Sequence, residues 1–217
     1  MIKMRLVLAV IFLWFVILAI TSVGISQTDL GVGVVSLDVP ENSILRFYAR
    51  PLDRSPAKTL TFFHDKSTNS RSILNLEQQK RWFSPELWGL DDNPLLFRCK
   101  SRTGSEFEVI VNNYTGRTYW IKRSASTRFK TWEKYLQGMF AIERDRNFSQ
   151  KIYSASRASS NEINFKGKDC FQVRSMRGDW INIFTPTHCS DVVVKLDSGW
   201  IQWRKGNRLL IYLFPTA

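Results

Sequence analysis

The chain has 217 residues, 44% of them hydrophobic and 13% aromatic, with eight Trp and fifteen Phe against only eleven Gly and seven Pro. Such richness in large apolar residues excludes a disordered or low-complexity chain, and the length allows one or two packed domains. The formal charge of +12 excludes an acidic exterior; it fits a plain solvated basic surface or attraction to a polyanion such as nucleic acid, anionic lipid or an envelope polymer.

Residues 1–26 begin with Lys3 and Arg5, continue as an uninterrupted apolar run over 6–20, and end in the small-residue stretch that includes Gly24 and Ser26. This is the order of a secretory signal, with cleavage expected after Ser26. Extended through Ile25, the same run is long enough to span a bilayer, so an inner-membrane anchor over 6–25 is the alternative. Export, to the periplasm or beyond the cell, makes an envelope polymer a better partner than nucleic acid.

Residues 27–43 contain Gly31, Gly33 and Pro40 and read as a lead-in with one strand near 34–39. Residues 44–48 and 59–63 are β-prone and predict strands. Residues 64–72 are polar and loop-like, 73–81 briefly helical, and 82–88 aromatic and broken by Pro85. Asp91, Asp92 and Asn93 predict a turn before Pro94; the later ligands of a calcium loop are missing. Strands follow at 95–100, 106–112 and 117–122, with a hairpin turn around Gly104. Phe129, Trp132, Tyr135, Leu136, Met139 and Phe140 then recur at three and four residues. That period predicts an amphipathic connector helix within 124–150, capped by Ser126 or Thr127, ended near Gly138 and packed on its neighbours. Docking of this stripe on a membrane surface or a partner is the alternative. Beyond Lys151, short strands are expected at 162–165, 170–174, 179–184, 192–195, 199–204 and 208–214.

The two halves share landmarks. Phe47-Tyr48 matches Ile152-Tyr153, Cys99 matches Cys170, Phe107 loosely matches Trp180, and Gly116 to Ile121, with Trp120, matches Gly199-Trp200-Ile201. The first half carries extra residues near 57–94; the second has a longer loop containing Cys189. Short strands with turns between them indicate small β-barrels. Ile152-Tyr153 followed by the small-residue loop 154–160, then Gly178-Asp179-Trp180-Ile181, then Gly199-Trp200-Ile201 resembles bacterial SH3-like (SH3b) domains. The resemblance covers about 151–214 well and 44–122 more weakly, since Ser105-Glu106-Phe107 stands in place of Gly-Asp-Trp. It implies an all-β chain: a signal or anchor helix (1–26), the lead-in (27–43), a first SH3-like barrel (44–123), a short helical connector (124–150) and a second barrel (151–217).

The family further implies non-catalytic binding in the bacterial envelope, to peptidoglycan, another anionic polymer or a partner protein. A structural or assembly subunit of an envelope complex without a small ligand is the alternative. His64 and His188 lie in expected loops with no acid or nucleophile at motif spacing, so no enzyme, metal or cofactor is expected. Three cysteines in an exported chain invite one disulfide. Cys170 and Cys189 flank the Trp180 strand and are expected to pair, leaving Cys99 buried and inert. Tyr48, Tyr153, Trp203, Trp82 and Trp88 are the candidate binding aromatics, because SH3-like barrels often bind through aromatic side chains beside the variable loop. Trp120, Trp180 and Trp200 mark the repeat and are read as structural, with Trp120 and Trp200 in the core and Trp203, Trp82 and Trp88 partly exposed.

Overall fold

The computed structural model describes residues 30–88, 94–189 and 193–215. The signal or anchor expected over 1–26 and the turn of Asp91, Asp92 and Asn93 lie outside the described residues. No helix among the described residues is long and apolar enough to cross a membrane.

The chain is all-β with two short helices among the described residues. Its first part runs β1 (Gly33–Leu37), β2 (Ile44–Phe47), β3 (Lys58–Asp65), β4 (Ser70–Ile73), α1 (Leu76–Gln79), β5 (Leu95–Arg102), β6 (Glu106–Asn112), β7 (Arg117–Lys122) and β8 (Thr127–Thr131). After α2 (Trp132–Gln137) come β9 (Ala141–Arg144), β10 (Ile152–Tyr153), β11 (Glu162–Ile163), β12 (Gln172–Arg177), β13 (Trp180–Phe184), β14 (Gly199–Gln202), β15 (Arg204–Lys205), β16 (Arg208–Leu209) and β17 (Ile211–Phe214). One antiparallel sheet has the order β7-β6-β5-β1-β8, and the other β11-β10-β14-β13-β12. Neither closes into a barrel among the described residues.

The pairing repeats residue by residue. Tyr48 bridges Trp120 as Tyr153 pairs with Trp200. Trp120 pairs with Glu108 as Trp200 pairs with Asn182, and Ile121 with Phe107 as Ile201 with Ile181. Both meanders carry a register shift at the same place, between Cys99 and Ser101 and between Val173 and Ser175. Phe97 pairs with Val35 as Phe171 bridges Ile142, and β1 lies between β5 and β8 as β9 joins Phe171 to β17. Each unit therefore begins one strand earlier than the tyrosine strand. Those strands, β1 and β9, fall in the segments read as lead-in and connector.

The register changes the matching of the halves. Cys99 corresponds to Val173, and Cys170 to Leu96, so the two cysteines are not equivalent. Phe107 corresponds to Ile181 rather than to Trp180, whose counterpart is Glu106. Gly199 corresponds to Tyr119, not to Gly116. Gly199 has its own reason to lack a side chain: a Cβ there would stand 2.4 Å from Ile152 Cγ2.

The expected connector helix shrinks to six residues, Trp132–Gln137. Thr131, not Ser126 or Thr127, caps it by accepting the Lys134 N–H at 3.4 Å, and Gly138 ends it. Residues 127–131 instead form the edge strand β8, because Phe129 stacks on Phe107 at 6.2 Å rather than joining the helix stripe. The loop expected over 64–72 is largely the β3–β4 hairpin, whose register runs from Phe62↔Ile73 to Asp65↔Ser70. The described part of the strand expected over 192–195 is not a strand.

Alternation along β1 explains how the units join. Val35 and Leu37 point into the first unit's own core with Phe47, Phe62, Phe83, Phe97 and Phe107. Val34 and Leu96 point the other way, into a second core shared with Trp132, Leu136, Phe171, Val173, Ile181, Ile201 and Trp203. The centre of the first sheet, β1 and residues 95–99 of β5, is thus buried on both faces, which fits its apolar runs. The apolar stripe of α2 fills the seam. The Trp132 indole donates to the Leu30 carbonyl at 2.9 Å, and the Gln137 amide donates to the Arg174 carbonyl at 3.1 Å.

Candidate functional site

Because the units repeat, a feature built at one repeat position should recur at the other, and two grooves do. The first has a volume of about 280 Å³ and lies between the chain leaving β1 (Asp38 to Arg46), Tyr48, and the β7–β8 connection from Lys122 to Thr127. The second has a volume of about 380 Å³ and lies between the chain leaving β9 (Asn147 to Lys151), Tyr153, Gln202, and the connection that ends at Leu210. Lys122 and Gln202 occupy the same register, opposite Glu106 and Trp180. The Asp38 N–H donates to the Ser126 carbonyl at 3.1 Å, as the Asp145 N–H donates to the Leu210 carbonyl at 2.9 Å. Each groove therefore follows an Asp that closes the first and last strands together.

The tyrosines are held by backbone. Tyr48 N–H and Trp120 N–H each donate to the other's carbonyl at 2.8 Å. That pairing buries most of the Tyr48 ring, and Lys122 Nζ lies 4.7 Å from its centroid. In the second unit the Tyr153 ring meets Trp180 edge-on at 5.5 Å, and both are half-buried. Beside them Lys151 Nζ is 2.7 Å from Glu162 Oε2, and that hydrogen bond and charge raise the lysine's pKa. Arg208 stacks over Phe148 at 4.3 Å on the same rim. Asp145 Oδ1 accepts from Asn147 N–H at 2.9 Å and from the Tyr212 hydroxyl at 2.9 Å. Those bonds hold the Asp145 carboxyl below its ordinary pKa and raise that of Tyr212. They also fix the start of the loop that walls the groove.

The linings are cationic and aromatic. Arg46 and Lys122 face a single lining acid, Asp38, in the first; in the second Lys151 is paired with Glu162 just outside the lining, and Lys205 is the second lining cation. Such a lining suits a ligand with carboxylate or phosphate groups and some apolar surface. Neither lining contains a His or Cys. Among the described residues no cluster of three or more His, Cys, Asp or Glu could hold a metal ion.

The expected aromatics divide in an unexpected way. Tyr48 and Tyr153 line the two grooves. Trp203 does not; it is 1% exposed in the shared core, 5.4 Å from Trp132, with its indole donating to the Gly178 carbonyl at 2.9 Å. Trp82 is also buried, against Phe47, Phe83 and Tyr119, and its indole donates to Gln79 at 2.8 Å. Trp88 is half-buried and meets Phe83 edge-on at 4.9 Å. Trp120 and Trp200 are half-buried rather than core; Arg177 lies 5.5 Å from Trp200. The physical reason is alternation: Ile201 and Trp203 share a face, and that face is the core, so Trp200 turns outward with Gln202. Trp180, read as a repeat marker, is a wall of the second groove.

Cys170 and Cys189 form a disulfide. Cys99 is a free, buried thiol whose burial pushes its pKa up to about 12. His64 Nδ1 sits 3.3 Å from Glu41, and His188 stacks on Phe140 with Nε2 3.0 Å from its carbonyl; neither faces a nucleophile.

Sequence reasoning did not find Asp38 and Asp145, Lys122 and Gln202, or Phe97 and Phe171 as repeat pairs. Asp38 and Asp145 were readable as identical residues, once each unit was extended back by one strand. No protein-family model, no curated protein and no solved structure matches the chain.

Proposed function

We propose that the chain is an exported, non-catalytic binding protein made of two SH3-like modules. Each module takes a segment of anionic cell-envelope material, peptidoglycan or a similar polymer, or of a partner protein, in its tyrosine groove. The observation that carries this reading is the recurrence of one cationic, tyrosine-lined groove at the same register position in both units. The SH3-like assignment draws support from the pairing of the tyrosine strand with the Gly-Trp-Ile strand, and of that strand with the Gly-Asp-Trp strand. The basic-apolar-small order of residues 1–26 and a disulfide suited to an oxidising compartment support export. In the second groove Tyr153 and Trp180 offer rigid apolar faces, while Lys205 supplies charge beside the Lys151–Glu162 pair. Aromatic anchors of this kind cost about 2 kcal/mol of binding when truncated.

The test is retention of the chain from Gln27, which keeps every described element, on purified peptidoglycan and on immobilised envelope proteins. Retention that falls about tenfold or more in Tyr153→Ala/Trp180→Ala supports the reading. No retention on either matrix rejects it.

A second reading is favoured by the shared core. Units joined through Trp132, Trp203 and Leu96 form a rigid block, which suits a spacer or assembly subunit without a small ligand. Light scattering separates the two, since the assembly reading requires a defined oligomer.

A further inference from the structure

The turn between β2 and β3 presents a leucine to solvent and holds it there. Leu52 is 77% exposed and has a left-handed backbone, with φ of 65°. Leucine is a poor choice for both conditions, since Gly or Asn takes this φ with less strain and neither exposes an apolar chain. The turn is nonetheless fixed by two carboxylates. Leu52 N–H donates to Glu106 Oε2 at 2.8 Å, and Glu106 is 2% exposed. Arg50 N–H donates to Asp53 Oδ2 at 3.0 Å. Strain held by a buried carboxylate behind an exposed apolar tip is the pattern of a functional contact.

The surroundings are basic. Arg50 and Arg54 flank the tip and are exposed, and Asp53, engaged with Arg50 N–H, is the loop's only acid. The β5–β6 hairpin beneath carries exposed Arg102, which pairs with Phe107 next to Glu106. Exposed Arg123 joins the same end by donating its N–H to the Ser105 carbonyl at 2.8 Å. Arg50 and Arg54 thus flank one protruding leucine, whereas the guanidinium groups of Arg102 and Arg123 lie 4.4 Å over Phe129 and 5.1 Å over Phe107, on the face of β6 away from Glu106. The second unit has no such tip: Trp180 stands where Glu106 does, and the loop 154–161 carries no exposed large hydrophobic residue. The feature is therefore not a by-product of the repeat.

We propose that the turn between β2 and β3 docks on an anionic bilayer surface, with Leu52 entering the acyl boundary and the flanking Arg50 and Arg54 meeting lipid phosphates. Charge complementarity chooses the anionic headgroups, and guanidinium is the cation best shaped for phosphate. The apolar tip chooses a bilayer over a soluble polyanion, which offers leucine nothing to enter. The site is separate from the grooves and does not depend on what they bind.

The test is partition of the chain from Gln27 onto vesicles, which leaves out the apolar leader. Vesicles of phosphatidylglycerol mixed with phosphatidylcholine are compared with phosphatidylcholine alone at moderate salt. Partition to the anionic vesicles is expected to be about tenfold stronger or more. Leu52→Asn should reduce it about fivefold or more, while the unfolding midpoint stays or rises because Asn tolerates the backbone. Arg50→Glu/Arg54→Glu should reduce it more than the same charge change at exposed Lys66 and Lys195. Equal partition to both vesicles overturns the proposal. So does full binding by Leu52→Asn, which would mark general polyanion adhesion, and so does an equal loss in the Lys66/Lys195 control.

Discussion

Replacing Trp203 by Ala should be among the most damaging changes in this protein, and replacing Trp200 should be mild. Trp203 is 1% exposed and lies 5.4 Å from the Trp132 ring, on the seam that joins the two units. Its removal deletes a whole buried indole and leaves a cavity, at a cost of about 3–5 kcal/mol. It also strips the Gly178 carbonyl of its indole donor at 2.9 Å, worth about 1 kcal/mol more. Trp200 loses only a half-buried outer face and an Arg177 contact at 5.5 Å, about 1 kcal/mol. Urea unfolding of both variants, followed by fluorescence and far-UV circular dichroism, reads the two costs. Because the core is shared, the wild-type transitions should coincide in one step. A larger loss for Trp200→Ala, or a loss below about 2 kcal/mol for Trp203→Ala, would refute the face assignment. Two separate wild-type transitions would refute the shared core.

Reducing the Cys170–Cys189 bridge, which closes a separation of 19 residues, should lower stability by about 3 kcal/mol; an unchanged urea midpoint under reductant would contradict this. Burial raises the folded pKa of Cys99 from 9.0 to about 12. Its contribution is therefore complete below about pH 9 and is lost as pH rises from there towards 12, while at pH 8 a maleimide should label it only at the rate of unfolding. Labelling at the speed of a free exposed thiol would show that the site is open. Thr131→Ala should cost about 0.5–1 kcal/mol by removing the cap of α2, whereas Thr127→Ala leaves that cap in place.

The meanders were legible because hairpins announce themselves. Residues 95–122 and 172–184 alternate around turns at Gly104 and Gly178, and there the expected strands differ from β5, β6, β7, β12 and β13 by two or three residues at most. The opening strands were hidden for different reasons. In β1, Val34 and Val35 are buried on opposite faces, so no period-two contrast survives. In β9, four residues follow a helix whose apolar stripe overruns its own ends. Phe129 fits that helical period by sequence yet belongs to a strand, since stacking on Phe107 decides its side. The alternation of Trp200, Ile201, Gln202 and Trp203 correctly separates two faces. It does not say which face is the core, and the two faces carry one Trp each. Ile201 beside Trp203 is the local hint, and the packing of Trp132 from across the chain is the cause. The grooves were the least legible feature. Each is assembled from the ends of strands some 80 or 50 residues apart, and one contributing strand in each unit, β1 or β9, lies in a segment that reads by sequence as lead-in or connector.

The two tyrosine grooves are proposed as the places where ligand binds. Titrating isotope-labelled chain from Gln27 with soluble peptidoglycan fragments, and following its amide and side-chain resonances, tests this directly. Shifts concentrated at Tyr48, Arg46 and Lys122 and, in parallel, at Tyr153, Lys151 and Trp180 are the predicted result. Saturable shifts that bypass both grooves and gather elsewhere on the surface would contradict it.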